Sequence, residues 1–177
     1  MTDTKTRILD LAENLTQSKG FNGFSYLDLA AEVGIKTSSI HYHYKSKADL
    51  ALALVERHRE ALEAAFKRLD DDVANPADRL ESIVTHFKGY IGEEKICMCG
   101  MMAAEFESIS PAVRKALALY FRDFQNWLAK QFSALGHPNP PAVALQYVSA
   151  LEGSLLLARL EGDASVVDRS LDGFVNT

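Results

Sequence analysis

The sequence predicts an all-α protein of about nine helices, and three observations predict it. Apolar residues recur at helical spacing along most of the chain. Helix-opening signals precede those stretches: Ser25 with Asp28, Ser46 with Asp49, Asn75 with Pro76, and Ser110 with Pro111. No stretch reads clearly as a β-strand, with its alternation of apolar and polar residues.

Each element follows from local signals. Thr4 to Ser18 places Ile8, Leu11, Ala12 and Leu15 on one face, and Gly20 ends that helix. Ser25 and Asp28 have capping-box spacing, so a short helix runs from Tyr26 to Val33 and stops at Gly34. A third helix covers about Thr37 to Tyr44. Ser46 and Asp49 open a long helix reaching about Leu69. Asn75 caps a helix with Pro76 as its first residue, running to about Ile91. A polar loop from Gly92 to Lys95 precedes a helix from about Met98 to Ile109. The next runs from Pro111 to Leu135. The proline-rich stretch from Gly136 to Pro141 reads as loop. Val143 to Leu160 is strongly apolar, and a last helix covers about Ser165 to Val175.

The 177 residues are 47% apolar and 24% charged, values of an ordinary globular protein. No unbroken apolar run of membrane-spanning length is read, and the first residues lack the basic-then-apolar order of a signal peptide. A cytoplasmic protein is expected. Two cysteines, Cys97 and Cys99, are too few for a disulfide framework, which suits a reducing compartment. The net charge of −5 argues at first against nucleic acid. Its distribution argues otherwise. Residues 1–47 hold six bases and five acids, and from Val33 to Ala48 there are three lysines, two histidines and no carboxylate.

That basic stretch lies in the most informative unit. Two short helices joined by a tight glycine-containing turn are the helix-turn-helix pattern. Gly34 supplies the backbone freedom, Ala30 permits close approach, and Leu29, Val33, Ile35 and Ile40 form a small core. The second helix offers Lys36, Thr37, Ser38, Ser39, His41, Tyr42 and His43. Short donors and acceptors at a helix N-terminus suit base edges and phosphates in a major groove.

The block GIKTSSIHYHYKSKADL, from Gly34 to Leu50, resembles the TetR (tetracycline-repressor-like, TetR/AcrR) family of transcriptional regulators. That family shows a glycine turn, then serine, leucine or isoleucine, tyrosine, any residue, histidine and phenylalanine, with a lysine and a leucine following. Gly20, Phe21, Ser25, Asp28, Leu29 and Ala30 also fit, so the likeness covers about residues 5–55. Two positions depart: His41 stands where the family has tyrosine, and Tyr44 where it has phenylalanine. The resemblance implies base-edge contacts from Thr37, Ser38 and His41. It implies phosphate contacts from Tyr26, Ser39, Tyr42, His43 and Lys47, with Lys36 able to make either.

The resemblance also implies a division into a helix-turn-helix DNA-binding domain, residues 1–47, and a helical ligand-binding and dimerisation domain, residues 48–177. In the second part, Phe87, Tyr90, Met101, Phe106, Phe124 and Trp127 form an aromatic and methionine group that suits an apolar ligand pocket or simply fills a core. The over-apolar 143–160 segment reads as a dimer helix, with Tyr147, Leu151 and Leu155 as interface candidates. Cys97 and Cys99 admit three readings: packing, a thiol sensor at a helix start, or a metal site, the last lacking a convincing further ligand. No enzyme motif is present, and no cofactor or metal is expected. The expected function is a DNA-binding regulator, a repressor that binds a pseudo-palindromic double-stranded operator as a homodimer and is released by a small-molecule inducer, with thiol-reactive inducers included. Its rival is a ligand-independent DNA-binding or partner-binding module without a pocket. No membrane partner is expected.

Overall fold

The structure, a computed structural model, describes residues 3–175. Among them the chain forms nine α-helices and no strand: α1 (Thr4–Lys19), α2 (Tyr26–Val33), α3 (Thr37–His43), α4 (Lys47–Asp72), α5 (Pro76–Gly92), α6 (Met98–Ala104), α7 (Pro111–Ala134), α8 (Pro140–Glu161) and α9 (Ser165–Leu171). Short 3-10 turns occupy Phe21–Gly23 and Phe106–Ser108. By contact the chain groups into two units. One runs to Arg59 and takes in Met98–Ala118; the other comprises Glu60–Cys97 and everything from Leu119 onward.

In the first unit, Asp3 caps α1 by accepting the Lys5 N–H at 2.7 Å. The helix buries Ile8, Ala12 and Leu15. It ends at Gly20, where φ is +84° and a Cβ would lie 2.4 Å from Glu105 Oε1. The positive φ strains any residue with a Cβ, and the Glu105 side chain would have to move to admit one. Glu105 in turn accepts the Asn22 N–H at 3.0 Å, and Asn22 donates to Ser108 Oγ at 2.7 Å. Arg57, on the first half of α4, pairs with both Asp10 and Glu13 of α1.

The second unit has an aromatic centre. Phe66 lies flat on Trp127 at 4.3 Å, and Phe124 stacks with Phe87 at 5.9 Å. The Trp127 indole N–H donates to Asp70, which also pairs with Arg79 at 3.3 Å. α8 buries Ala144, Tyr147, Val148, Leu151, Ser154, Leu155 and Ala158. Its other side leaves Leu145, Leu156, Leu157 and Leu160 exposed, Leu160 by 83%.

Four sequence expectations need correction. Pro140 and Pro141 belong to α8, because Asn139 caps the helix and proline is tolerated in a first turn, where N–H groups lack partners anyway. α6 stops at Ala104 and passes into a 3-10 turn instead of continuing to Ile109. α9 ends at Leu171. α8 is also long and apolar enough to cross a membrane by length and composition, the one such helix among the described residues. It nonetheless buries one full face inside its own unit and carries Glu152 and Arg159.

Candidate nucleic-acid interface

The site is built by two helices and the turns around them. Ser25 starts α2 with a complete capping box: its N–H and hydroxyl meet Asp28 Oδ2, each at 2.7 Å, and its Oγ accepts the Asp28 N–H. Those hydrogen bonds hold the Asp28 carboxyl below its ordinary range. α2 ends at Gly34, whose left-handed φ of +77° lets the Gly34 and Ile35 N–H groups both donate to Ala30 O at 3.0 Å. Arg7 reaches across from α1 and donates to Val33 O at 2.6 Å, placing a cation at the negative end of α2. Sequence reading missed this role, which depends on a partner 26 residues away.

α3 then needs little anchorage. Ile40 is its one buried residue, and Tyr44 just beyond the helix is buried too. Its remaining side chains are therefore free for solvent or a ligand. Lys36, Ser38, His41 and Tyr42 are exposed; Thr37, Ser39 and His43 are half-buried. Tyr42 is 84% exposed and meets only the edge of His43 at 5.2 Å. The His41 ring rests on Tyr26 at 4.9 Å, which fixes its direction. Lys45, absent from the sequence-derived list, is exposed beside this surface. The carboxylate-free stretch containing it was the available signal.

Two residues expected at phosphates have partners within the chain. Tyr26 is buried, and its hydroxyl donates to Ser46 O at 2.6 Å, with Tyr44 O a second acceptor at 3.2 Å. Burial, then the Asp49 carboxylate, pushes its ionisation well up, so it is a neutral donor already committed to the backbone. Lys47 donates to Phe21 O at 2.6 Å and sits over the rings of Phe21 and Phe24 at 4.7 and 4.5 Å. Burial lowers its pKa, with Glu105 and Asp28 opposing. Its first task is to tie α4 to the turn after α1.

This geometry is that of a helix-turn-helix head, and comparisons with known proteins agree. The profile of the tetR family of bacterial regulatory proteins matches residues 8–54, and that of the C-terminal domain of LmrA/YxaF-like transcriptional regulators matches residues 76–171. The chain belongs to the TetR family. A TetR transcriptional regulator of Legionella pneumophila superposes with a TM-score of 0.93 at 32% identity, covering 98% of this chain and 96% of that one. A TetR-family regulator of Agrobacterium tumefaciens gives 0.87 at 29% identity, covering 93% and 92%. An uncharacterised HTH-type transcriptional regulator of Lactococcus lactis, encoded in the lacX 3' region, is 29% identical over 96% of this chain and 90% of its own length. This TetR-family chain is thus a DNA-binding transcriptional regulator, a non-enzymatic class.

The other predicted sites of this TetR chain fare differently. Phe87, Phe124 and Trp127 are buried, Phe87 stacked on Phe124 and Trp127 on Phe66, and Tyr90 meets Phe87 edge-on at 5.8 Å and His86 at 3.0 Å. They read as filled core. Phe106 is 54% exposed under the Arg114 guanidinium at 3.9 Å, so it is a surface residue, not a pocket wall. Met101 is half-buried in the first unit. Tyr147, Leu151 and Leu155 face their own core, because the apolar composition of α8 hid which side turns inward. Cys97 and Cys99 are fully buried and form no disulfide. The Cys97 thiol hydrogen-bonds to Glu152, and burial pushes that carboxyl up to about 7, the thiol partly offsetting it. Among the described residues no cluster of three or more potential ligands could hold a metal ion.

Proposed function

We propose that the chain is a dimeric repressor that reads a pseudo-palindromic operator with α3 and is released by a small molecule. The carrying observation is α3 itself, one buried isoleucine beneath a polar surface free of carboxylates. A groove-reading helix requires both features: anchorage from one side and uncompensated donors on the other. Thr37, Ser38 and His41 read base edges. Ser39, Tyr42, His43 and Lys45 meet phosphates, and Lys36 does either. The exposed leucines of α8 form the contact between copies, pairing two heads for two half-sites. Ligand control follows if the second unit has two arrangements of unequal affinity for a ligand, since equal affinity shifts nothing. α4 carries residues of both units in one helix and is the route from one to the other. The working compartment is the one that holds DNA, the cytoplasm.

The test is selection of bound sequences from random duplexes, followed by salt titration on the winner. A pseudo-palindrome with half-sites about one helical turn apart supports the reading. An asymmetric consensus of one half-site overturns it. The rival, a regulator without an inducer pocket, draws support from the filled aromatic centre of the second unit.

A further inference from the structure

The second unit has a cavity elsewhere, of about 280 Å³, between α5, α8 and the end of α9. That is close to the lower end of small-molecule sites, roughly 300–1,000 Å³. Leu80, Val84, Tyr147 and Leu171 give it an apolar lining. Asp78, Glu81, Asp168 and Asp172 give it an acidic one, and no lysine or arginine lines it. Asp168 is paired with Lys88 at 2.6 Å. Asp78 meets the neutral Asn75 amide at 3.3 Å. Glu81 and Asp172 have no cationic partner among the described residues.

Tyr147 supplies the independent observation. It is only 1% exposed, held edge-on between Phe132 at 5.4 Å and Phe174 at 5.3 Å. It nevertheless lines the cavity with a hydroxyl that bonds no other described residue. Its oxygen is not one of the sealed, unpaired polar atoms of the fold, so it stays open to water or to a ligand in the cavity. Its burial keeps it a neutral phenol, able to give or accept one hydrogen bond and to offer a ring face.

We propose that this cavity binds a small organic cation: a tertiary or quaternary ammonium carried on an apolar, preferably aromatic, body. The alternatives fail on chemistry. An anion would face four carboxylates, of which only Asp168 has a cation beside it, Lys88 at 2.6 Å. A metal ion needs convergent ligands, and these carboxylates are too dispersed to share one. A wholly neutral ligand leaves the acidic rim without purpose. A diffuse organic cation matches both surfaces, with its charge toward Glu81 and Asp172 and its body against Tyr147, Leu80 and Leu171. Occupancy would link α5 to α9, which Lys88 and Asp168 already tie across the rim.

The inference rests on reading the second unit as ligand-responsive, but its test needs no DNA, so the two readings fail separately. Benzyltrimethylammonium is titrated into the full chain by calorimetry, with neutral N,N-dimethylbenzamide and anionic phenylacetate as comparators. Saturable binding of one cation per chain is expected, at least about tenfold tighter than either comparator. Glu81→Gln with Asp172→Asn should weaken it about tenfold, while Glu107→Gln in the other unit leaves it unchanged. Tyr147→Phe, which keeps the packing, should weaken it severalfold. Circular dichroism confirms that each variant is folded. Equal binding of the cation and the amide overturns the proposal. So does a Glu81→Gln, Asp172→Asn variant that binds like wild type, or a failure to saturate at millimolar cation.

Discussion

α3 and α8 solve opposite problems. α3 has seven residues, buries one of them, and turns hydroxyls, imidazoles and a phenol outward. α8 has 22 residues, buries a complete apolar face, and still leaves four leucines in solvent. A helix that reads DNA can be short, because its neighbours hold it and its exposed chemistry is polar. The exposed leucines of α8 are the surface assigned above to the contact between copies. In the proposed reading the exposed residues of α3 carry the specificity. In α8 the division between inner and outer faces carries it.

The largest effect is expected where that division is broken. With the proposed dimer, Leu156→Arg or Leu160→Arg should give monomers and weaken operator binding at least about a hundredfold, since the second half-site contact is lost. Light scattering and operator titration check this. Thermal stability should hardly change, whereas Leu151→Arg, on the buried face, should unfold the chain. A dimer surviving both outward substitutions would remove α8 from the interface.

Glu152 comes next. Its carboxyl ionises at about 7 in the fold against an ordinary value near 4.5. Between those values the folded chain holds a proton the unfolded chain has lost, so stability falls as pH rises from about 4.5 to about 7. Glu152→Gln should match wild type below that window and exceed it above by about 1–3 kcal/mol, read by denaturant melts at pH 4 and pH 8. A constant offset at both pH values would contradict the assignment.

Smaller effects separate the two kinds of residue within the head. Tyr26→Phe should cost about 1 kcal/mol of stability by removing the bond to Ser46 O. Lys47→Ala should likewise act on stability, through Phe21 and Phe24. Lys45→Ala should leave melting unchanged and reduce the slope of log affinity against log salt by about one. If Lys47→Ala instead changes the slope and spares the melt, its contact with Phe21 O is not what positions it.

These cases show what was legible. The caps of α2 and α5 and the Gly34 turn were readable because their hydrogen bonds span only a few residues. The outward chemistry of α3 was readable for the same reason: one buried isoleucine in seven residues fixes the face. The partners of Tyr26 and Lys47 were not legible because Ser46 and Phe21 lie 20 and 26 residues away. Tyr147, Leu151 and Leu155 were misassigned because α8 is apolar around most of its circumference, so no periodicity selects a side. Glu152, among leucines in sequence, gave no sign of its Cys97 partner.

The unit that holds α1 to α3 is stitched from two separate lengths of chain, the second being Met98–Ala118. A single N-terminal cassette would therefore leave behind part of the contacts this unit makes. A chimera cut at residue 47 would discard Arg57, the partner of Asp10 and Glu13. One cut at residue 59 would still leave Asn22 facing a foreign residue in place of Glu105. Grafting new operator specificity onto this scaffold calls for exchange of α3 alone, whose dependence on its surroundings rests chiefly on Ile40.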